Sequence, residues 1–349
     1  MAATIVDVAA RAGVSVSTAS RVLNGGTKGL RRDAVGRAEA VLAAAQELHY
    51  QPNRTARSLV LKRSFTIGVV VTEIHNPVRT LLIDALRALA FRRGFGVLVA
   101  GVNWGEDPGG QLQNLLNHQV DGLILTHLSQ YSEAWLQHLR ACAVPVVGFG
   151  IAGVTGFDNI AINYLQAVYE LTTHLLEVHT VKRILFAGGL SDSLRYEGYC
   201  RAMREHGLPE FPHWRTETVT LESGYAAGRA LPGAFAALPE AVVCHNDIFA
   251  MGVVAGLRDV GLSVPEDIRV TGIDNIEFAA YSNPRLTTAG VEGKMLAEQL
   301  CNRLFRQIDG ESRESLRETE MPIRFFFRES CGCRPAPEPQ KDADRGDEK

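Results

Sequence analysis

The sequence predicts a small all-α domain followed by a much larger α/β domain made of two similar halves. Three observations support this fold class. Apolar residues recur at helical spacing through the first 48 residues. From Thr66 onward, short apolar strands alternate with helix-length segments, as in doubly wound parallel sheets. This alternation runs through two successive series, near 66–149 and 160–273, which indicates two Rossmann-like lobes with a cleft between them.

Length, charge and composition limit the class of protein. The 349 residues are enough for two or three domains, and no apolar run approaches the roughly 20 residues needed to span a bilayer. Residues 1–24 lack the apolar core of a signal peptide, so we expect a cytoplasmic protein without a membrane partner. Residues 1–63 contain ten Lys/Arg and four Asp/Glu, whereas the remainder contains 26 and 35. A basic head on an acidic body is typical of a nucleic-acid-binding domain joined to a sensor domain.

Residues 4–24 predict two short helices joined by a tight turn. Thr4 is suited to cap the first helix, Gly13 to adopt a left-handed conformation at its end, and Ser15 to cap the second helix. The apolar positions that face inward are Ile5, Val8, Ala9, Ala12, Ala19, Val22 and Leu23. This pattern is typical of a helix-turn-helix that inserts its second helix into the DNA major groove. An ordinary helical hairpin is the alternative.

The exact residues favour the first interpretation. The stretch DVAARAGVSVSTASRVLN resembles the N-terminal signature of the LacI/GalR (lactose-repressor/galactose-repressor) family of bacterial transcription regulators, with Ala19 where the family usually has Val. We expect Val16, Ser17 and Arg21 to contact base edges. The remaining contacts expected from this region, mainly with phosphates, come from Thr4, Ser15, Ser20 and Asn24.

A third helix and a hinge complete the predicted DNA-binding part. The third helix is predicted over about 32–48, with one apolar face made by Val35, Ala38, Val41, Leu42, Ala45 and Leu48. The following HYQPNRTARSL resembles the family's hinge helix, which is too short to be stable alone in water. The resemblance implies that two such helices of a dimer meet in the minor groove, where Leu59 acts as an apolar wedge. Other predicted DNA contacts of the hinge are Asn53, Arg54 and Ala56. A plain linker is the alternative.

The predicted elements of the α/β part follow in alternating order. Its strands are predicted at 66–73, 96–102, 122–126, 144–149, 183–187, 216–221, 241–245 and 269–273. Its helices are predicted at 77–93, 111–119, 132–143, 165–178, 194–206, 224–236 and 248–260. The resemblance implies a periplasmic-binding-protein-like effector domain in which the chain returns to the first lobe near Thr288 and to the second near Met321.

These elements define the predicted domains. The headpiece covers 1–51, the hinge and linker 52–63, and the effector and dimerisation domain 64–333. The first lobe is predicted at about 64–158 and 290–319, and the second lobe at about 159–289 and 320–333. Residues 334–349 are charged and rich in proline, and we expect them to be disordered.

Polar residues that follow strands are the candidates for effector binding, because ligands bind at the carboxyl ends of strands in open α/β sheets. These candidates are His75, Asn76, Phe149, Asn163, Arg195, Asn246 and Asp274. Such residues also serve as helix caps, and Asp247 is expected to be one. Family motifs R-x-x-GY, ND-x-x-A and G-x-D match 195–199, 246–250 and 272–274, and in relatives their Arg and Asp hydrogen-bond the effector. Asn163 stands where the family usually has a carboxylate, which leaves room for a different or more acidic effector.

Other chemistry finds little support in the sequence. Residues 148–153 fit G-x-G-x-x-G, but the third glycine does not begin a predicted helix, so no dinucleotide is expected. The six cysteines are interpreted as reduced, buried thiols. Cys331-Gly-Cys333 is a C-x-C pair, but no second Cys/His cluster was apparent to complete a metal site. We therefore expect neither a metal nor a cofactor.

The sequence thus predicts a sequence-specific DNA-binding regulator, a repressor, rather than an enzyme. Its expected partners are a near-palindromic operator in the bacterial nucleoid, a second copy of the chain, and a small-molecule effector, with a sugar or sugar derivative as the first choice. Two alternatives use the same α/β fold. A sugar-transport receptor conflicts with the basic headpiece and the absence of an export signal. A Rossmann-type enzyme lacks a catalytic constellation.

Overall fold

The structure is a computed structural model with two separate units, residues 1–65 and 66–349. The residues that it describes are 3–23, 32–50, 58, 61, 63–103, 105–128, 131–150, 153–189, 193–211, 213–310 and 317–334. Several predictions lie outside the described residues, namely those for Asn24, Asn53, Arg54, Ala56, Leu59 and the tail 335–349.

The N-terminal unit is a three-helix domain. Its helices are α1 (Ile5–Arg11), α2 (Val16–Leu23) and α3 (Arg32–Glu47). Gly13, in the turn after α1, has a φ of +63°, as predicted. The buried centre of this domain is formed by Val8, Ala9, Ala19, Val22, Ala38, Val41 and Ala44.

The predicted apolar face of α3 was too wide. Val35 is 45% exposed and Leu42 is 52% exposed. The inner face runs instead through Ala38, Val41 and Ala44, which recur every three residues. Leu42 is one residue after Val41, and because a helix turns about 100° per residue, it points away from this stripe. Val35 is three residues before Ala38, one turn nearer the start of the helix, and it is also exposed.

The first lobe has a six-stranded parallel sheet. Its elements before the second lobe are β1 (Thr66–Thr72), α4 (Pro77–Arg92), β2 (Gly96–Val102), α5 (Gly109–Asn117), β3 (Gly122–Thr126), α6 (Glu133–Ala141), β4 (Val146–Gly150) and β5 (Asp158–Ala161). Two elements from the end of the chain, α11 (Gly293–Ile308) and β11 (Glu318–Glu320), complete it. The strand order is β11-β5-β4-β3-β1-β2, and all five strand pairs are parallel.

The second lobe repeats this plan. Its elements are α7 (Tyr164–Glu177), β6 (Ile184–Gly189), α8 (Ser193–Glu205), β7 (Trp214–Thr216), α9 (Leu221–Ala234), β8 (Ala241–Cys244), α10 (Asp247–Asp259), β9 (Arg269–Ile273), β10 (Thr287–Gly290) and β12 (Arg324–Phe326). Short 3-10 helices occur at Glu277–Ala280 and Glu329–Cys331. The strand order is β12-β10-β9-β8-β6-β7, with β12 antiparallel to β10. The predicted two-lobed α/β fold class is confirmed.

The predicted boundary between the lobes is shifted. Strand β5, residues 158–161, was assigned to the second lobe from residue 159, but it pairs with β4 and β11 in the first sheet. Parallel neighbours normally need a crossover of a dozen or more residues, and the short link between β4 and β5 therefore disguised their pairing. The chain passes between the lobes three times, at 162–163, 291–292 and 321–323.

A predicted strand at 216–221 is also wrong in part. The strand ends at Thr216, and α9 begins at Leu221. Thr220 is the N-cap, because its hydroxyl accepts from the backbone N–H of Ser223 while the Ser223 hydroxyl accepts from the N–H of Thr220. This reciprocal capping box fixes the start of the helix.

Helices α9 and α10 pack with their backbones in contact. Gly224 and Gly228 on α9 face Gly252 and Gly256 on α10. A Cβ atom at Gly252 would overlap the carbonyl oxygen of Leu221, and a Cβ atom at Gly224 would overlap that of Phe249. The second lobe therefore needs glycine at these positions for close approach of two helices.

Helix α11 covers one face of the first sheet. Gly122 at the start of β3 leaves room for Leu304 and Ile308 of α11. Phe305 packs edge-on against Phe95, with ring centroids 5.0 Å apart. Arg303 forms an ion pair with Asp158 at the start of β5. A helix that follows the second lobe in sequence is thus part of the core of the first.

Candidate DNA-binding surface and effector cleft

The second helix of the headpiece, α2, has one buried and one exposed side. Ala19 and Val22 are buried in the three-helix core. Val16 is 43% exposed, and Ser17 and Arg21 are also exposed, which is the distribution that a DNA-reading helix requires.

Hydroxyl groups cap the starts of α1 and α2. Ser15 Oγ accepts from the backbone N–H of Thr18 and lies 2.9 Å from Ser17 Oγ. Thr4 caps α1, and its backbone N–H and hydroxyl both donate to Asp7 Oδ2, at 2.8 and 2.7 Å. These bonds hold the pKa of Asp7 below its usual value. The predicted capping roles of Thr4 and Ser15 are confirmed, and their contacts with DNA stay predictions, as does the contact of partly exposed Ser20.

A recess lies between the two lobes where the chain crosses from one to the other. The empty space of the recess, counted together with the open solvent at its mouth, is about 380 Å³. Its walls include Arg79, Asp274 and one residue from each passage of the chain between the lobes. The lining residues are Val78, Arg79, Ile162, Tyr164, Ala167, Ile273, Asp274, Ala289, Gly290, Val291, Leu296 and Ile323. A ligand here would touch both lobes.

Arg79 is the main polar group on the first-lobe wall. It is only 7% exposed, and one of its terminal nitrogens lies 3.0 Å from His127 Nε2. Its guanidinium carbon is 5.4 Å from the centre of the buried Phe149 ring. Among the described residues, Nε of Arg79 is buried and has no hydrogen-bond partner. A buried donor of this kind is normally paired with an ordered water or a ligand.

His127, which directly follows β3, is held neutral. Burial lowers the pKa of His127 well below its usual value, and the positive charges of Arg79 and Arg195 and the neighbouring His245 lower it further. Because a guanidinium can only donate, Nε2 of His127 is the acceptor in its bond with Arg79.

Arg195 is the corresponding cation on the second lobe. It is the third residue of α8, and its guanidinium carbon stacks 3.7 Å from the centre of the Tyr164 ring. Arg79 is likewise the third residue of α4. The N-terminus of a helix carries a partial positive charge, so a cation in its first turn is unfavourable unless an anion is nearby. Two arginines in this position add positive charge to this part of the cleft.

A direct hydrogen bond joins the two walls of the cleft. Asn76 caps α4 by accepting from the N–H of Val78, and its Nδ2 donates to Asp274 Oδ2 at 3.2 Å. Asp274 has a φ of +112°, a conformation that costs energy for any residue with a side chain. Its N–H donates to the carbonyl of Ala289 at 2.7 Å, which helps to hold this conformation. Asp274 is thus fixed towards the recess.

The structure separates the predicted effector residues into two groups. Those that lie around the cleft are Asn76, Phe149, Arg195 and Asp274. Asn163 and Asn246 act as N-caps, accepting from Gln166 N–H and Phe249 N–H. Asn246 is buried, with its Nδ2 donating to Val219 O, so its amide is engaged at both ends. His75 is exposed, with no described contact that directs it into the recess.

Asp247 is not the helix cap that the sequence predicts. Asn246 takes that position, and Asp247 is the first residue of α10. Its fully buried carboxylate accepts from the N–H of Ile276 at 2.9 Å. Burial and the negative charge of Asp274 raise the pKa of Asp247 well above its usual value. It therefore supports the loop that carries Asp274.

Sequence reasoning missed three residues of the cleft, namely Arg79, His127 and Tyr164, and also His245, which affects the pKa of His127. His127 and His245 directly follow β3 and β8, so the rule that selected Asn76 and Asp274 would have found them. Arg79 carried a different signal, because it is a charged residue in the first turn of the helix that follows β1.

The sequence-based statement that the C-x-C pair meets no second Cys/His cluster is wrong. The C-x-C pair does meet a second cluster, formed by His174 and His179 at the end of α7. A spacing of five residues between two histidines that end a helix was the missed signal. The glycine-rich stretch 148–153 behaves as predicted, since Gly148 and Gly150 lie in β4 and Gly153 leads through a turn to β5 rather than into a helix.

A helix-turn-helix headpiece and a two-lobed body with a cleft define a class of ligand-controlled DNA-binding proteins. Residues 4–53 match the family model described as bacterial regulatory proteins, lacI family, and residues 172–331 match the periplasmic binding protein-like domain. In the described part of the chain, no helix combines the length and apolar character needed to cross a membrane.

Named relatives and solved structures agree with these matches. The HTH-type transcriptional repressor PurR of Pasteurella multocida (strain Pm70) is 33% identical over 340 residues, covering 95% of this chain and 99% of that protein. The lac repressor dimer bound to operator and the anti-inducer ONPF aligns with a TM-score of 0.81 at 26% identity, covering 95% of this chain and 99% of that one. A complex of the transcriptional regulator CelR with cellobiose aligns with a TM-score of 0.66 at 27% identity, covering 94% of this chain and 99% of that one.

The chain belongs to the LacI family of bacterial regulatory proteins. It is a DNA-binding transcriptional repressor and not an enzyme, and its partners are operator DNA and a small-molecule effector. The alternatives of a transport receptor and a Rossmann-type enzyme are thereby set aside.

Proposed function

We propose that this repressor is controlled by a small acidic molecule, such as a sugar acid, bound in the recess between its lobes. The observation that carries the proposal is the pair of arginines, Arg79 and Arg195, each in the first turn of a helix that begins at the cleft. Among the described residues that line the recess, Asp274 is the single carboxylate. A carboxylate or phosphate would accept charge-assisted hydrogen bonds from these guanidinium groups, and Asp274 would accept from a hydroxyl of the same ligand.

The position of the recess suggests how binding controls DNA affinity. Ile162, Val291 and Ile323 line it, one from each passage of the chain between the lobes. A ligand that binds one arrangement of the lobes more tightly shifts the population towards it. In the proposed mechanism, this shift alters the separation of two hinge segments of a dimer, and marginally stable hinge helices respond by folding or unfolding.

The screen that tests the proposal compares matched acidic and neutral compounds. Thermal-shift measurements on the full chain would use sugars, the corresponding sugar acids, and purines, followed by operator titrations with each hit. We expect a sugar acid to raise the Tm and to change operator affinity, whereas its neutral parent sugar does neither at the same concentration. If a neutral sugar or a purine base were active and no acid were, the acidic effector would be excluded while the repressor function would stand.

Replacing Arg79 with methionine should weaken binding of the acidic effector by about tenfold to a hundredfold, because a charge-assisted hydrogen bond is lost. The unliganded protein should still fold, since methionine keeps the length and the apolar stem of arginine. Isothermal titration with the identified acid measures the change in Kd.

Arg87→Met is the matched control for Arg79→Met. Arg87 lies on the same helix, α4, but is exposed and pairs with Asp84 at 2.8 Å. This variant should bind the effector like the wild type. An unchanged Kd in Arg79→Met would remove Arg79 from the proposed effector site.

We also propose that the working form is a homodimer on a near-palindromic operator, located in the bacterial cytoplasm. Large apolar side chains exposed on the body support this, namely Leu81, Phe91, Leu98, Val99, Phe278 and Tyr281. Light scattering on the protein as it elutes from a size-exclusion column gives its mass in solution. A gel shift with the DNA upstream of the gene tests operator binding. A monomer at all concentrations would contradict the dimer, and no sequence-dependent shift would contradict operator binding.

A further inference from the structure

Two histidines and two cysteines from distant parts of the chain meet on the second lobe. His174 lies in the last turn of α7 and His179 follows that helix, whereas Cys331 and Cys333 flank Gly332 near the end of the described chain. The four possible ligand atoms, two imidazole nitrogens and two sulfurs, all lie within 4.8 Å of one another. Cys333 Sγ is 3.4 Å from Nε2 of each histidine, and Cys331 Sγ is 3.8 Å from Nε2 of His174.

We propose that these four residues bind a zinc ion. In a tetrahedral site with Zn–S of about 2.3 Å and Zn–N of about 2.0 Å, a sulfur and a nitrogen ligand are about 3.5 Å apart. The observed sulfur–nitrogen distances of 3.4 to 3.8 Å fit this geometry. Two thiolates with two imidazoles form the donor set that favours zinc over harder cations such as magnesium or calcium. Four protein ligands fill the coordination sphere, which is typical of a structural site.

The surroundings orient the ligands. The imidazole of His174 stacks on Phe327 with ring centroids 3.8 Å apart. Gly332 has a φ of +95°, in the left-handed region that favours glycine, and it reverses the chain between the two cysteines. Arg269 Nε donates to the carbonyl oxygen of Cys331 at 3.1 Å. Because these contacts already orient the ligand side chains and the cysteine segment, metal binding requires less additional ordering of the chain.

The cysteine segment is also anchored to the sheet of the second lobe. Ser330 Oγ donates to the carbonyl oxygen of Val270 at 2.6 Å and accepts from the N–H of Thr287 at 2.8 Å, and both bonds are buried. Val270 lies in β9 and Thr287 begins β10. A zinc ion would therefore link α7 to a segment that is already fixed on β9 and β10. Its expected role is to hold the end of the second lobe together.

The test is the metal content of the untagged full-length chain, purified under reducing conditions without chelator. We expect about one zinc ion per chain by plasma mass spectrometry. After zinc removal, Co²⁺ should give the visible bands of tetrahedral cobalt and a near-ultraviolet thiolate charge-transfer band, and added Zn²⁺ should abolish both. Removal of zinc should lower the Tm, because the metal binds the folded state.

Single substitutions identify the ligands. Cys333→Ser and His179→Ala each remove a zinc ligand at a partly exposed position. Zinc affinity should fall by about tenfold or more in each variant. Cys142→Ser and His118→Ala change residues of the first lobe outside the cluster and should keep the zinc content.

Three results would overturn the proposal. The first is a reduced wild-type chain that contains no zinc and gives no cobalt bands. This result does not depend on whether any variant folds. Both ligand variants could retain the full metal content. Cys331 and Cys333 could also be joined to each other in a disulfide after reducing purification, which mass spectrometry of the tryptic peptide detects.

Discussion

Replacing Arg21 with alanine is expected to weaken binding to a specific operator by about tenfold to a hundredfold, because a side chain that reads a base edge contributes about 1–3 kcal/mol of discrimination. Arg21 is exposed on α2, whereas Ala19 and Val22 of the same helix are buried, so the headpiece core is unaffected. The measurement is a titration of operator and random-sequence duplexes. If Arg21 reads a base, the variant should lose affinity for the operator but not for the random-sequence duplex, so the ratio of operator to random-sequence affinity falls. If Arg21 only contacts a phosphate, the affinities for the two duplexes should fall equally.

Arg11→Ala is the charge-matched control for this experiment. Arg11 pairs with Glu47 at 2.8 Å, and both side chains are 56% exposed. An exposed ion pair contributes about 0–1 kcal/mol to stability, so this variant should stay folded. It should keep the wild-type ratio of operator to random-sequence affinity. If Arg21→Ala kept that ratio too, α2 would not read bases through this residue.

Gly252→Ala is expected to destabilise the second lobe by about 3 kcal/mol or more, because the added methyl group forces two helix backbones apart. Its Cβ would overlap the carbonyl oxygen of Leu221 and approach the backbone nitrogen of Tyr225. Neither atom is at the end of a flexible side chain, so no rotamer change relieves the overlap. In a lobe of this size the Tm should fall by about 5–10 °C.

Gly233→Ala provides the control within the same helix pair. Gly233 lies in α9, and a Cβ atom there would meet nothing within 4 Å. Since alanine favours helix over glycine by about 0.5–1 kcal/mol, this variant should be as stable as the wild type or slightly more so. Calorimetry on both variants separates the two effects. Equal Tm values for Gly252→Ala and the wild type would mean that α9 and α10 tolerate a wider separation.

Most of the fold follows from local patterns in the sequence. The strand at 269–273 and the helix that begins at Pro77 have the predicted bounds within a residue, because continuous apolar runs and N-terminal caps mark such elements strongly. The pairing of β5 with the first sheet was not predictable, since a four-residue strand after a loop carries no sign of its neighbour. Register and partner depend on contacts between residues far apart in the chain.

The effector cleft was predictable only as a location. Strand ends pointed to Asn76 and Asp274, and the structure places these two side chains in contact across the lobes. Asn163 and Asn246, like Asn76, cap helix ends, and sequence alone does not show which capping amides also contact a ligand. Arg79 escaped notice because its burial depends on His127 and Phe149, which come from other strands.

The interleaved lobes have a consequence for how the protein is made on the ribosome. The first lobe needs α11 for its apolar face and β11 for the edge of its sheet, yet both are encoded after nearly all of the second lobe. During translation, the surface of β3 around Gly122 therefore stays uncovered until α11, which carries Leu304 and Ile308, has been synthesised. A premature stop codon between residues 293 and 318 would remove β11 and all or part of α11, and would therefore damage the lobe that was begun first. Truncated products of this kind would be expected to meet chaperones or proteases before they reach DNA.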